Sequence, residues 1–244
     1  MNVTAKLNIC STQEAQAYTD AVLSLHDHWI ARDNYALSTL GAAAYLDAPT
    51  ARTVRKFGIL PPKHDTYENN VEKYNPLLSQ AFDTLYSAVL SGLSKHLQAE
   101  TVYPPDKAFP GFHIFNHHPH YALPTTHIPH YDRQYESLKW QQEVPVAVAR
   151  TISFTLPLQI PANGAGLVLW DIELNDVLGL DKQQAIDKVK SARTWRENYN
   201  VGEMVCHPGH LLHRIAPWHS SEGERRITLQ GHGLYQNDQW HLYW

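Results

Sequence analysis

Two hydrophobic rhythms divide the chain near residue 104. Before it, apolar positions recur every three or four residues in two stretches, the spacing of a helix with one buried face. Ala15, Tyr18, Ala21, Val22, Leu25 and Trp29 carry the first stretch. Ser11-Thr12-Gln13-Glu14 stands ahead of it and fits a capping box, in which Ser11 and Glu14 satisfy each other's free backbone N–H groups. A helix is therefore predicted from there to about Arg32. In the second stretch Leu78, Phe82, Leu85, Val89 and Leu93 share one face, with Asn75 as the predicted N-cap, Pro76 as the first helical residue and an end near Leu97. Between the two, Tyr35 to Tyr45 is rich in Ala and Leu and predicts a short helix. Asp47 to Tyr74, with Pro49, Pro61, Pro62 and scattered charges, predicts a long surface loop. Residues 1–9 read as an edge strand.

After Pro104-Pro105 the pattern changes to short β-type runs separated by Gly, Pro and Asn. Phe109–Phe115, Ala122–Asp132, Val146–Leu158, Gly166–Trp170, Gly202–His207, Leu211–Ile215, Arg225–Gly231 and Trp240–Trp244 are the predicted strands. Such a series predicts a sandwich, barrel or jelly roll. Ile172 to Asn200 interrupts it: Asp181 is an N-cap with Gln184 three residues on, and Ala185, Ile186 and Val189 follow at helical spacing. This segment is expected to be an insertion that walls or covers a site. The class expected is α+β with a mainly β core, one domain over 1–244, comprising a helical layer over 1–104 and a β core over 105–244 that carries the insertion 172–200.

Composition narrows the classes of function. Hydrophobic residues at 43% and charged residues at 18% are ordinary for a globular protein, and a net charge of -4 argues against a nucleic-acid surface. Cys10 and Cys206 are the only cysteines, which is no disulfide framework. No basic start leads into an apolar run, and no stretch approaches the roughly 20 apolar residues that cross a bilayer, so no membrane partner and a cytoplasmic location are expected. Histidine is the departure from the ordinary. Of 16 in the chain, six lie in 113–130 and five in 207–232.

Side chains two apart on an extended segment project to the same face. His130 and Asp132, in His127-Ile128-Pro129-His130-Tyr131-Asp132, can therefore offer an imidazole and a carboxylate to one metal ion. A further histidine from a distant strand would complete a set of two His and one carboxylate, which leaves one side of a six-coordinate Fe(II) open. His207, His210, His213 and His219 are the candidates. Pro208-Gly209 reads as a turn, His210 begins the next strand and His213 falls inside it, so His213 is the choice. His207 and His232 are expected at most to support ligands. His26 and His28 on the first helix, and His117, His118 and His120 in a Pro-containing loop, are expected on the surface. His127, three before His130, alternates with none of the ligands.

His130-x-Asp132, His213-Arg214-x-x-Pro217 and an arginine twelve or thirteen residues beyond His213 resemble the Fe(II)- and 2-oxoglutarate-dependent oxygenases. The resemblance spans roughly 109–244 and implies a double-stranded β-helix, a jelly-roll (cupin-like) form, beneath an N-terminal helical layer. It implies that His130, Asp132 and His213 bind Fe(II), that 2-oxoglutarate chelates the metal through its 2-oxo acid end, and that its far carboxylate meets an arginine. Arg226-Ile227-Thr228 fits the Arg-x-Ser or Arg-x-Thr of many members, whereas Gly223-Glu224-Arg225 fits others in which the arginine follows a Gly-x pair. Arg226 with Thr228 is the first choice and Arg225 the second. Tyr121, nine residues before His130, stands at a separation similar to that of a tyrosine that contacts 2-oxoglutarate in some members; an aromatic core residue is the plainer alternative. The implied reaction uses O2 to oxidise a C–H bond of a small molecule and releases succinate and CO2, by hydroxylation or a related outcome such as desaturation, ring closure or N-dealkylation. Asp132 argues against halogenation, where a small residue replaces the carboxylate. Two other classes compete. A cupin-type dioxygenase or isomerase would need no arginine after His213, and a non-catalytic jelly-roll module with structural zinc would need a fourth ligand, for which His207 or His210 could serve.

Overall fold

The computed structural model describes residues 4–32, 36–48 and 66–244. In chain order the strands are β1 (Ala5–Asn8), β2 (Ile30–Ala31), β3 (Leu37–Leu40), β4 (Glu100–Val102), β5 (Gly111–Asn116), β6 (Thr151–Gln159), β7 (Gly166–Glu173), β8 (Thr194–Asn198), β9 (Glu203–Pro208), β10 (Leu211–Ile215), β11 (Arg225–Gln236) and β12 (Gln239–Tyr243). The helices are α1 (Thr12–Ser24), α2 (Ala44–Asp47), α3 (Tyr67–Leu97) and α4 (Lys182–Ser191).

Local sequence explains most of the helical layer. Ser11 Oγ accepts from the Glu14 N–H at 3.2 Å and Glu14 Oε2 accepts from the Ser11 N–H at 2.8 Å, the reciprocal cap expected. The helix stops at Ser24, short of Arg32, because the chain turns through a 3₁₀ segment at His26–His28 and Trp29 Nε1 donates back to the Val22 carbonyl at 3.1 Å. His26 and His28 are exposed there. The predicted helix at Tyr35–Tyr45 is instead a strand over Leu37–Leu40 followed by the single turn α2, since β3 finds a partner in β5 and tertiary pairing overrides an Ala/Leu-rich composition. α3 begins at Tyr67, capped by Thr66, with Pro76 inside it. The side chain of the predicted cap Asn75 is engaged elsewhere: Nδ2 donates to the Lys107 carbonyl at 2.8 Å and Oδ1 accepts from the Phe109 N–H at 3.0 Å. Of the loop predicted over Asp47–Tyr74, residues 49–65 lie outside the described residues and 67–74 are helical.

The strands form two layers. The larger sheet has the order β1-β9-β6-β11-β5-β3-β2, with β12 on β11 and β4 on β12. The smaller has the order β10-β7-β8 and is extended by an antiparallel bridge between His130 and His213. Four antiparallel strands, β5-β11-β6-β9, thus face the His130 segment, β10, β7 and β8: a double-stranded β-helix. Alternation decides what each face of the larger sheet meets. Phe112 and Ile114 of β5, Phe154, Leu156 and Leu158 of β6, Met204 and Cys206 of β9, and Ile227 and Leu229 of β11 pack with Ala15 and Val22 of α1 and with Leu78, Phe82, Leu85, Val89 and Leu93 of α3. The residues between them, including His113, Ser153, Thr155, His207, Thr228 and His232, are buried and polar and turn the other way. The space between the sheets is closed on one side by Leu167, Leu169, Val205, Leu211 and Tyr199.

One close approach anchors β5 to the last residue. A Cβ at Gly111 would lie 1.9 Å from Trp244 Cζ3 and 2.9 Å from the Leu40 carbonyl, and the Trp244 ring is fully buried. Gly111→Ala is therefore expected to destabilise the protein by about 1–3 kcal/mol through overpacking, read as a lower denaturation midpoint. An unchanged midpoint would show that the carboxyl-terminal ring is free to move.

Candidate metal centre

His130 and His213 are brought together by main chain. The His130 N–H donates to the His213 carbonyl at 2.9 Å and the His213 N–H returns to the His130 carbonyl at 3.1 Å, the hydrogen-bonded pair of an antiparallel ladder, which puts both side chains on one face. Two residues on, the Asp132 N–H donates to the Gly209 carbonyl at 2.9 Å and holds the carboxylate on that face as well. The strand predicted over Ala122–Asp132 reduces to this one bridge. Pro124 and Pro129 remove two ladder donors, and the run opens in a 3₁₀ turn at Pro119–Ala122.

The side chains carry their orientation in their second nitrogens. His130 Nδ1 bonds the Ile128 carbonyl at 2.8 Å and His213 Nδ1 bonds the Leu211 carbonyl at 2.9 Å, so each Nδ1 holds the proton and each Nε2 is left as the electron-pair donor. His213 Nε2 lies 3.3 Å from Asp132 Oδ2, and His130 Nε2 lies 3.7 Å from Oδ1. The three donor atoms fall within 4.8 Å of one another, the one such group among the described residues. Atoms bound to one ion by bonds of about 2.1 Å sit roughly 3–4 Å apart, so the group is the right size for a single metal. Asp132 is held from behind: Ser153 Oγ donates to Oδ2 at 2.6 Å and Gln134 Nε2 to Oδ1 at 2.9 Å, and Ser153 is itself 3.1 Å from His232 Nδ1. Burial alone would raise the Asp132 carboxyl, but the positive charges that His213, His232 and His130 carry when protonated outweigh burial and hold it well below the usual carboxylate range. A carboxylate beside two imidazole lone pairs suits a divalent first-row transition metal.

The remaining histidines sort by geometry. His210 Nε2 faces the Tyr135 hydroxyl at 3.2 Å and stands apart from the three. The His207 ring lies 4.4 Å from that of His213 and its Nδ1 bonds the Pro208 carbonyl, but it falls outside the donor group. His219 is exposed. His117, His118 and His120 are half-buried rather than on the surface, His117 through a 2.9 Å bond to Ser220. His127 lies parallel on Trp218 at 5.4 Å.

A cavity of about 340 Å³ opens over the three donors, lined also by Tyr45, His113, Gln134, Ser153, His207 and His232. The His130 side chain, half exposed, marks its mouth. None of the residues from Asp171 to Asn200 lines it. The expected insertion has its capped helix, α4, but α4 buries no residue, and the segment returns as β8, the strand of the smaller sheet farthest from His130. It does not cover the cavity mouth because sheet order carries it away.

Beyond the donors, the start of β11 pairs with β5 without a shift, so Arg226 and Thr228 share the inner face and Arg225 lies on the other. Arg225 Nε donates to Asn116 Oδ1 at 2.9 Å. Arg226 is 0% exposed; its guanidinium sits 4.9 Å from the Phe115 ring, 5.3 Å from Trp218 and 5.5 Å from Tyr199. None of its three nitrogens has a hydrogen-bond partner, and the buried Thr228 hydroxyl has none either. Tyr121 is buried on the same aromatic wall, stacked on Trp218 at 4.6 Å. Burial lowers the Arg226 pKa and outweighs the opposing influence of the neighbouring Tyr199 and Tyr121 hydroxyls. An unpaired buried guanidinium is costly in a folded chain. The cradle fits a ligand carboxylate that would supply the missing acceptors.

Tyr199 is the residue that the sequence pattern does not single out. It is 3% exposed and closes the space between the sheets. Glu197-Asn198-Tyr199-Asn200 reads as polar loop, and only the fold places it inside.

No protein-family model matches the sequence, and no curated protein matches it. Solved structures do. An N-substituted L-amino acid dioxygenase from Burkholderia ambifaria AMMD in complex with alpha-KG superposes with a TM-score of 0.54 at 14% identity, over 98% of this chain and 85% of that one. A second structure of an N-substituted L-amino acid dioxygenase from that organism gives 0.54 at 16%, over 99% and 86%. The non-heme alpha ketoglutarate dependent epimerase SnoN from nogalamycin biosynthesis gives 0.52 at 10%, over 94% and 76%. Over nearly its whole length, this chain has the fold of these proteins, a double-stranded β-helix beneath a helical layer.

Proposed function

We propose that the chain is an Fe(II)- and 2-oxoglutarate-dependent oxygenase that oxidises a C–H bond of a small molecule. The observation that carries this reading is the conjunction of the His130, Asp132 and His213 donors with a buried arginine that lacks an anion. A cupin-type metal enzyme without 2-oxoglutarate leaves that arginine unexplained. A structural zinc site requires a fourth protein ligand, and neither His207 nor His210 joins the donor group.

His130 and His213 would bind the iron through Nε2, their tautomers set by the carbonyls of Ile128 and Leu211. Asp132 would supply one carboxylate oxygen while Ser153 and Gln134 hold the group in place. Arg226 and Thr228 would bind the far carboxylate of 2-oxoglutarate, with Phe115, Trp218 and Tyr121 excluding water around it. Iron loaded with 2-oxoglutarate and O2 supplies oxidation at carbon coupled to formation of succinate and CO2. Substrate enters on the open side of His130, and a cavity of about 340 Å³ suits a small molecule. The two neighbours from Burkholderia ambifaria are dioxygenases of N-substituted L-amino acids, so such compounds, with other amino acids and small metabolites, form the first panel to screen.

The test is succinate release across that panel, followed by stoichiometry on the compound that stimulates it. Succinate, CO2 and oxidised product should form in equal amounts, and only with Fe(II) and O2 both present. Product that forms equally well without 2-oxoglutarate would move the protein to the cupin class. A tightly held zinc with no turnover of 2-oxoglutarate would make it a binding module.

A further inference from the structure

We propose that a second cavity, apart from the metal centre, is a binding site for a small aromatic carboxylate, with Lys107 as its charge partner. The site does not depend on the function proposed above.

The cavity, of about 390 Å³, lies beside β4 and β12, and no described residue lines both it and the metal cavity. Val102 and His241, partners across those two strands, line it with Tyr103, Pro104, Pro105 and Trp140. Lys107 also lines it and is 4% exposed, a burial that lysine rarely shows unless it is paired. Its Nζ lies 5.0 Å from the Trp140 ring centre and donates to the Asp106 carboxylate. The Asp106 side chain is 70% exposed, so water screens the pair and it offsets little of what burying the ammonium costs. An ammonium carries three donors, and Asp106 is its one hydrogen-bond acceptor among the described residues. Main chain holds the lysine in place: the Lys107 N–H donates to the Pro104 carbonyl at 3.1 Å, and the Lys107 carbonyl accepts from Asn75 Nδ2 at 2.8 Å.

The walls select the rest of the ligand. Trp140 is fixed by Nε1, which donates to the Tyr135 carbonyl at 2.8 Å, and Tyr103 by its hydroxyl, which donates to the Tyr86 carbonyl at 3.2 Å. Both rings are therefore preformed apolar surface, on which a flat ring can settle with little ordering cost. Charge narrows the class further. An amine would meet the Lys107 ammonium, and a doubly charged phosphate would be repelled by Asp106, whereas one carboxylate matches one cation. The cavity is of a size that suits a small molecule of this kind.

Benzoate is the probe, with benzamide and benzylamine as its uncharged and oppositely charged counterparts, and the indole N–H signals of the isotope-labelled protein are the readout. The Trp140 signal is assigned by its loss in Trp140→Phe, and that of Trp218, which lies beside Arg226, by its loss in Trp218→Phe. Benzoate should move the Trp140 signal and leave Trp218 in place, with a dissociation constant of about 1 mM or tighter, ordinary for a ligand of this size. Benzamide and benzylamine should each bind at least about tenfold more weakly, the loss of a hydrogen bond between charged groups. Lys107→Met keeps an unbranched stem against Trp140 and removes the charge. It should bind benzoate at least about tenfold more weakly, with its other indole signals unchanged. Benzoate that moves Trp218 instead has entered the metal cavity, which overturns the assignment. Equal affinity for benzoate and benzamide overturns it too, as does equal affinity of wild type and Lys107→Met for benzoate. Should Lys107→Met fail to fold, the three probes on wild type decide alone.

Discussion

Replacing His213 with Ala should eliminate Fe(II) binding and metal-dependent turnover and leave the fold in place. Loss of an outer-shell partner already costs a metal site about 10–100-fold in affinity, and His213 would be a ligand itself, with Nε2 3.3 Å from Asp132. The fold should survive because the bond that brings the two segments together is main chain: an alanine at this position would still exchange both hydrogen bonds with His130. Asp132 would also keep its bonds from Ser153 and Gln134. His210→Ala is the matched control, three residues away on the same strand approach but facing Tyr135, and it should bind metal as wild type does. Fe(II) content after anaerobic reconstitution decides between them. Retention in His213→Ala with loss in His210→Ala would require a different donor set.

What the sequence discloses and what it hides follow from the range of each interaction. The capping boxes at Ser11 and Asp181 are local, and both stand where expected. The stripe Leu78, Phe82, Leu85, Val89 and Leu93 is also local, and all five side chains are buried. Sequence pattern misplaces the start of α3 because Pro76 is a strong punctuation mark within the chain, whereas the bonds from Asn75 to Lys107 and Phe109 come from 32 and 34 residues away. It reads β3 as helix for a similar reason, since the identity of that strand depends on β5. His130, Asp132 and His213 are legible from alternation and type, yet the strand expected to carry the first two is a single bridge, stabilised by a partner about eighty residues on. The insertion is recognisable by its helix, but sheet order, which periodicity does not encode, places it away from the cavity. Tyr199 has no signal at all: its burial arises from how β8 returns against β7.

The choice between the two arginines is where the fold adds most to the sequence, and it leads to the second large effect. Arg226→Gln should raise the dissociation constant for 2-oxoglutarate at least about tenfold, since each hydrogen bond to a charged group contributes about 1.5–3 kcal/mol and a guanidinium can make two to one carboxylate. Arg225→Gln should change it less than about twofold, a surface-type substitution worth within roughly 0.5 kcal/mol, because that side chain is on the opposite face, bonded to Asn116. The ligand-free proteins should differ in the other direction. Arg226 is a buried cation with no acceptor, and replacing an unpaired buried charge with a neutral side chain removes a desolvation cost. Arg226→Gln should therefore be at least as stable as wild type without ligand, and it should lose the stabilisation that 2-oxoglutarate confers on wild type, which grows as the logarithm of ligand concentration over the dissociation constant. Thermal unfolding with and without 2-oxoglutarate, in the presence of Mn(II) and under nitrogen, measures both at once. A larger co-substrate defect at position 225 would transfer the anchor to Arg225. The orphaned guanidinium of Arg226 would then have to answer a different anion, and the place to look for it would be the substrate.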